Sequence, residues 1–238
     1  MEAMEANSAA RGRTAPGETR ASGGKEGRYH HGDLRNALIR AAIELAAEGG
    51  PDAVVLRAAA RKVGVSATAA YRHFEGQGDL LGAVKEYGQQ RLVACMEAVG
   101  RASEDVGPRT VTDRMMELGR GYVRFAREEP GLYRTAFCRK ALGAVGLTEE
   151  GGLADVEGEQ PGWETRSFEL LTETLDDAVA AGLITPERRP GAELSAWAMV
   201  HGVAMLFLDG PLGTLTDEES SYVVDRVLTD ILAGLMSS

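Results

Sequence analysis

A chain of 238 residues with 44% hydrophobic content can bury a core and is long enough for one large domain, or for a small one joined to a larger one. Its most apolar stretch, 197–208, contains His201 and falls short of the ~18 apolar residues of a membrane span. With no apolar signal core at the N-terminus, a cytoplasmic protein is expected. The net charge of −10 is unevenly spread: 11 Lys and Arg against 10 Asp and Glu up to residue 81, and 15 against 26 beyond it. Cys95 and Cys138 are too few for a disulfide framework and read as the free thiols of a reducing compartment.

Residues 1–27 are rich in Gly, Ala, Ser and charge and show no apolar periodicity, the pattern of a disordered arm. From Asp33 the pattern changes. Leu34, Leu38, Ala41, Ala42 and Leu45 recur at three- and four-residue spacing, one apolar stripe on a helix capped by Asp33 and stopped by Gly49-Gly50-Pro51. A second short helix is expected over about residues 54–63, burying Leu56, Ala59, Ala60 and Val63, with Gly64 at its end. Ser66 caps a third, over 67–74. Longer helical patterns follow at 79–99, 111–129, 131–142, 164–181, 192–208 and 217–235. A glycine-rich acidic segment, about 143–162, reads as a mobile loop. No strand pair and no internal repeat is evident, so the expected fold class is all-α.

Two short helices joined by a glycine turn, with small Ala60 where they meet, form a helix-turn-helix pattern. In such a unit the second helix enters the major groove of DNA, and its early residues must be small or polar for the backbone to approach base edges. Ala67, Thr68 and Ala69 suit that approach. Tyr71, Arg72 and His73 then bunch together, three donors able to grip flanking phosphates, while Phe74 turns into the three-helix core. Residues 57–73 carry four cations and no acid, although a solvated helical hairpin with Tyr71 and His73 at its surface would show the same spacing.

The strings VVLRAAARKVGVSATAAYRHF and GDLLGAVKEY, within about residues 33–87, resemble the DNA-binding domain of the tetracycline-repressor (TetR) family of bacterial transcriptional regulators. A weaker second likeness lies in Trp197-Ala198-Met199-Val200-His201-Gly202, similar to the W-x-x-x-H-G motif of one C-terminal ligand-binding subfamily. By position, the resemblance implies that Tyr71 and His73 bind phosphate and that Arg57, Ala67, Thr68 and Arg72 face bases, beside the helix cap Ser66. An arginine at position 57 can take a guanine through O6 and N7, worth ~1–3 kcal/mol of discrimination. Two positions depart from the family pattern: Gln77 replaces a phosphate-binding lysine, and Val55 replaces the polar cap before the second helix, both weakening backbone anchoring. The preceding arm, with Arg28 and Tyr29, can lie along phosphates and compensate. The implied organisation is a disordered arm at 1–27, a helix-turn-helix domain at 28–80, and a helical effector-binding and dimerisation domain at 81–238.

A single helix-turn-helix makes few contacts, so such modules dimerise on palindromes. The last two helices supply candidate faces: Trp197, Val200, Val203, Ala204, Phe207 and Leu208 on one, and Tyr222, Val223, Val227, Leu228, Ile231 and Leu235 on the other. Both stripes are equally what an intrachain core requires. Candidate ligand-binding residues are Met115, Tyr122, Phe125, Tyr133, Phe137, Phe168, Trp197 and His201, a set that fits an apolar effector because no cations cluster around it. The adjacent His30 and His31 have no further ligands at metal-binding spacing, and no cofactor is expected. There is no Gly-rich phosphate loop, no G-x-S-x-G and no H-E-x-x-H, so an enzyme is not expected. The sequence thus points to a ligand-responsive repressor acting as a dimer on double-stranded operator DNA. The competing reading is a helical small-molecule-binding protein whose DNA binding is weakened or lost.

Overall fold

Small side chains set how the first helices meet. In the computed structural model, which describes residues 34–102, 109–138, 145–147, 153–155 and 166–236, helix α1 (Leu34–Gly49) buries Ala37, Leu38, Ala41, Ala42 and Ala46 along one face. The proposed cap Asp33, the arm at 1–27 and Arg28 and Tyr29 lie outside the described residues. Gly50 ends α1 with φ 68°, and a 3-10 turn at Pro51–Ala53 carries the chain to α2 (Leu56–Val63). That helix starts two residues later than its pattern suggests, because Val54 is buried and Val55 is extended (φ −116°, ψ 125°).

Gly64 adopts φ 81°, a conformation costly for any residue with a Cβ, and its N–H closes α2 onto the carbonyls of Ala60 and Arg61. Helix α3 (Ala67–Ala70) is shorter than expected; beyond it the chain tightens into turns, with His73 N–H donating to the Ala70 carbonyl at 3.0 Å. Helix α4 (Gln77–Ala102) begins two residues early because the Asp79 carboxylate accepts from the Glu75 N–H at 3.2 Å.

The rest is helical packing around α4, which meets α1, α5 (Val111–Glu128), α6 (Pro130–Ala136) and α7 (Arg166–Ala180). A reciprocal capping box between Thr110 and Asp113 starts α5. Helix α6 ends at Ala136 with Phe137 as its cap, and the part of the expected 131–142 helix from residue 139 onward lies outside the described residues. Helices α8 (Ala192–Leu208) and α9 (Asp217–Met236) follow their sequence patterns and pack on α5 and on each other.

One expectation is corrected. Within the 143–162 segment, β1 (Val145–Leu147) pairs antiparallel with β2 (Leu153–Asp155), with Gly146 opposite Ala154. Three residues a side are too few to show alternation, and the fold remains all-α, since this is the sole strand pair among the described residues. No helix among them is long and apolar enough to cross a membrane. A continuous apolar cluster runs from Leu38, Ala60 and Phe74 through Leu80 and Leu92 to Tyr122, Tyr133 and Ala204, so α4 joins the first three helices to the body through packed side chains.

Candidate nucleic-acid interface and ligand cavity

The turn at Gly64 and the cap at Ser66, whose hydroxyl accepts from the Ala69 N–H at 3.2 Å, fix the direction of α3. Ala59, Ala60, Ala70 and Phe74 are buried beneath it. On the opposite side Arg57, Ser66, Thr68, Tyr71 and Arg72 are exposed, Tyr71 by 50%, with Ala67 and His73 half-buried among them. The surface therefore presents hydroxyls, guanidinium groups and an imidazole above a backbone kept open by alanine. Phe74 packs inward, with the Arg35 guanidinium 5.0 Å from its ring centroid.

One cation of this segment is engaged within the chain. Lys62 ties α2 to α1 through Glu44 at 2.9 Å and Glu48 at 3.5 Å, and the Glu44 hydrogen bond, with both carboxylates adding to it, raises its pKa. The sequence count of four cations in 57–73 overlooked this, because the two acids lie on α1. Val55 is exposed and provides no side-chain cap, and Gln77 is exposed at the start of α4.

In the body, α4, α5, α7, α8 and α9 enclose a cavity of about 80 Å³. Met115, Tyr122, Phe137, Phe168 and Trp197 line it. Phe125 does not, being fully buried in the core behind, and Tyr133 and His201 stand one layer back. There the Tyr122 and Tyr133 hydroxyls lie 2.9 Å and 2.8 Å from His201 Nδ1 and 3.3 Å from each other, and Trp197 Nε1 donates to the Tyr122 oxygen at 3.3 Å. Burial lowers the His201 pKa, leaving the imidazole neutral at pH 7. Burial likewise pushes both tyrosine hydroxyls well above the usual tyrosine range, so each stays a hydrogen-bond donor. The cluster links α5, α6 and α8 by neutral hydrogen bonds and ring contacts; the Tyr133 and His201 rings stack 5.6 Å apart.

Two polar cavity residues, Gln89 and Ser167, escaped the sequence reading. Gln89 Nε2 donates to the Ala136 carbonyl at 3.3 Å, and Ser167 Oγ donates to Gln89 Oε1 at 3.3 Å. The available signal was periodicity: Gln89 shares one face of α4 with Leu81, Leu92 and Met96, a neutral polar residue among apolar ones, with Lys85 also on that face.

The stripes offered for dimerisation divide differently from their sequence pattern. Val203, Ala204, Phe207 and Leu228 are buried within the chain, and Trp197 and Val200 line the cavity, because α8 and α9 pack against α5. The exposed large apolar residues of these helices are Met199, Leu206 and Tyr222, with Ala198 beside Met199 and Gly202 between the α8 pair also exposed.

Two family models match the chain: bacterial regulatory proteins of the tetR family over residues 38–84, and the tetracyclin repressor-like C-terminal domain over residues 115–231. No curated protein matches. Among solved structures, a protein of unknown function from Rhodococcus sp. RHA1 is 29% identical, with a TM-score of 0.63 over 89% of this chain and 100% of that one. A TetR family transcription regulator from Marinobacter aquaeolei VT8 is 19% identical, with a TM-score of 0.56 over 84% of this chain and 95% of that one. A TetR variant from Acinetobacter baumannii AYE, solved in complex with minocycline, is also 19% identical, with a TM-score of 0.54 over 85% and 98% of the two chains.

Proposed function

The chain belongs to the TetR family of bacterial DNA-binding transcriptional regulators, and from that premise we propose that it is a cytoplasmic repressor that binds a palindromic operator as a dimer and leaves it when a small, largely apolar effector binds. The observation that carries the reading is the surface formed by Arg57, Ser66, Ala67, Thr68, Tyr71, Arg72 and His73, held on a glycine turn and opposed by a buried alanine face. In it Arg57, Ala67, Thr68 and Arg72 face base edges, and Tyr71 and His73 fix the register on phosphates. Arg28 and Tyr29 of the preceding arm add backbone contacts that offset Val55 and Gln77.

The division proposed is a helix-turn-helix domain at 28–80 and an effector-binding and dimerisation domain at 81–238, preceded by the arm at 1–27. Dimerisation falls to α8 and α9, where Met199, Leu206 and Tyr222 leave an apolar face in water and Gly202 permits close approach. Met115, Tyr122, Phe137, Phe168 and Trp197 form the effector wall, with Tyr133 and His201 supporting it. An effector that favours one arrangement of α4 shifts the population toward it and changes the separation of the two reading helices.

The test is binding to the DNA upstream of the protein's own coding region, against scrambled DNA, over a salt series. Selective binding with a steep salt slope supports the regulator, and Tyr71→Phe with His73→Ala should abolish it while fold and ligand binding persist. Equal, weak binding to both DNAs by the intact protein, together with retained ligand binding, favours a ligand carrier without DNA function.

A further inference from the structure

The cavity's wall is apolar along nearly its whole extent, and none of the described residues lining it carries a charge. An ion entering it would lose its hydration without a partner, so charged ligands are excluded on energetic grounds. Its volume, about 80 Å³, is smaller than the ~150 Å³ of engineered apolar cavities that take benzene, but Met96 and Met115 in the wall are flexible enough to yield.

Gln89 breaks the apolar pattern. It is buried, yet its amide uses one of two N–H groups, on Ala136, and one of two acceptor lone pairs, on Ser167, both across 3.3 Å. Among the described residues each polar atom of the amide thus has one partner and keeps one N–H and one lone pair for a second, where the amide borders a mainly apolar space and can meet a polar group that arrives there. Of the other polar groups in the wall, the Tyr122 hydroxyl already engages Trp197, Tyr133 and His201, and the Ser167 hydroxyl donates to Gln89 itself. We propose that the cavity takes an uncharged, mainly apolar molecule bearing a hydroxyl or carbonyl group, and that Gln89 recognises that group. The proposal deepens the effector reading above and rests on it. Gln89 also sits where α4 meets the last turn of α6 and the first turn of α7, so a ligand group that draws the amide away from the Ala136 carbonyl loosens α4 from its neighbour.

Three probes of similar size separate the possibilities at pH 7: benzene, apolar throughout; phenol, uncharged with one hydroxyl; and benzoate, an anion. Calorimetric titration of the full-length protein should find phenol bound about three- to tenfold more tightly than benzene, the value of one neutral hydrogen bond, with no benzoate binding. Gln89→Met, close to isosteric, should erase phenol's advantage and leave benzene affinity within about twofold. If Gln89→Met does not fold, Ser167→Ala provides the second variant: it frees the amide oxygen and should widen phenol's advantage, and an unchanged ratio refutes the role of Gln89. A phenol preference that survives Gln89→Met, equal binding of phenol and benzene, or benzoate binding as well as phenol overturns the proposal while the cavity stands as a ligand site. Failure of all three probes to bind, with operator binding intact, overturns the cavity reading and this inference with it.

Discussion

Gly131 lies in the first turn of α6, pressed against the end of α1. A methyl group added there would fall 2.5 Å from the Ala47 carbonyl oxygen and 2.9 Å from its carbon, and closer still to the Ala46 oxygen. Carbon and oxygen settle at ~3.3 Å or more, so α6 and the end of α1 would have to part by close to 1 Å. Backbone carbonyls cannot rotate aside as a flexible side chain can, and overfilling of this kind costs about 1–3 kcal/mol. The better helix propensity of alanine returns at most ~1 kcal/mol, and less in a first turn. Gly131→Ala should therefore lose about 1–2 kcal/mol, a fall of roughly 2–8 °C in Tm for a chain of this size. The control is Gly82, exposed inside α4 with nothing within 4 Å of an added Cβ. There the same substitution should stabilise by ~0.4–1 kcal/mol through the unfolded chain. Urea titration and thermal melting of the two variants decide the matter: if Gly131→Ala melts at or above the parent temperature, or if both substitutions shift stability in the same direction, the close-approach argument is refuted.

Four other outcomes follow from the structure. Replacing Met199 and Leu206 by Glu should convert a dimer to monomers in sedimentation and weaken operator binding without lowering the monomer's helicity, since both side chains are more than two-fifths exposed in the chain. Tyr71→Phe should weaken operator binding about tenfold, as loss of a hydrogen bond to a charged phosphate does, with Tm unchanged because the hydroxyl has no partner within the described chain. His201 has a folded pKa lowered by burial from 6.5, so the unfolded chain binds its proton first; the stability this residue contributes is complete above about pH 6.5 and lost as pH falls below it, and His201→Gln should remove that part of the acid slope. Tyr122 and Tyr133 are shifted upward by burial from 10.0, so stability should fall as pH rises above about 10, less steeply in Tyr122→Phe.

The helices were legible wherever local chemistry decides them. The glycines at 49, 50 and 64, the Ser66 cap and the three-four spacing of Leu34, Leu38 and Ala41 act within a few residues, and the structure follows them. Boundaries slipped where a contact from outside the window intervened: Val54 is drawn into the core before α2 starts, and Asp79 reaches back to Glu75 to start α4 early. The β1–β2 pair was invisible because a three-residue ladder has too little alternation to stand out in a glycine-rich segment.

The two surfaces differ in legibility for the same reason. Residues 57–74 form one contiguous unit whose local pattern assigns each side chain to the inner or outer face, so periodicity alone separates Phe74 and Ala70 from Tyr71 and Thr68. The cavity draws on five helices, and its residues share no phase. Phe125 and Phe137 are alike in sequence, yet one is core and the other wall, a difference set by the crossing of α5 and α6. On α8, Trp197 and His201 lie four residues apart on one face, and the pattern cannot tell whether that face meets a partner or its own chain. The tyrosines opposite decide it, because a hydroxyl-imidazole cluster joining α5, α6 and α8 makes this face an internal joint. The apolar surface of α8 left exposed is then the neighbouring strip of Met199, Gly202 and Leu206, one step around the same helix. Helix α8 thus meets the inner joint with one face and leaves an exposed apolar strip on the other, and under the proposed function an effector that displaces Trp197 would act on an element bearing both.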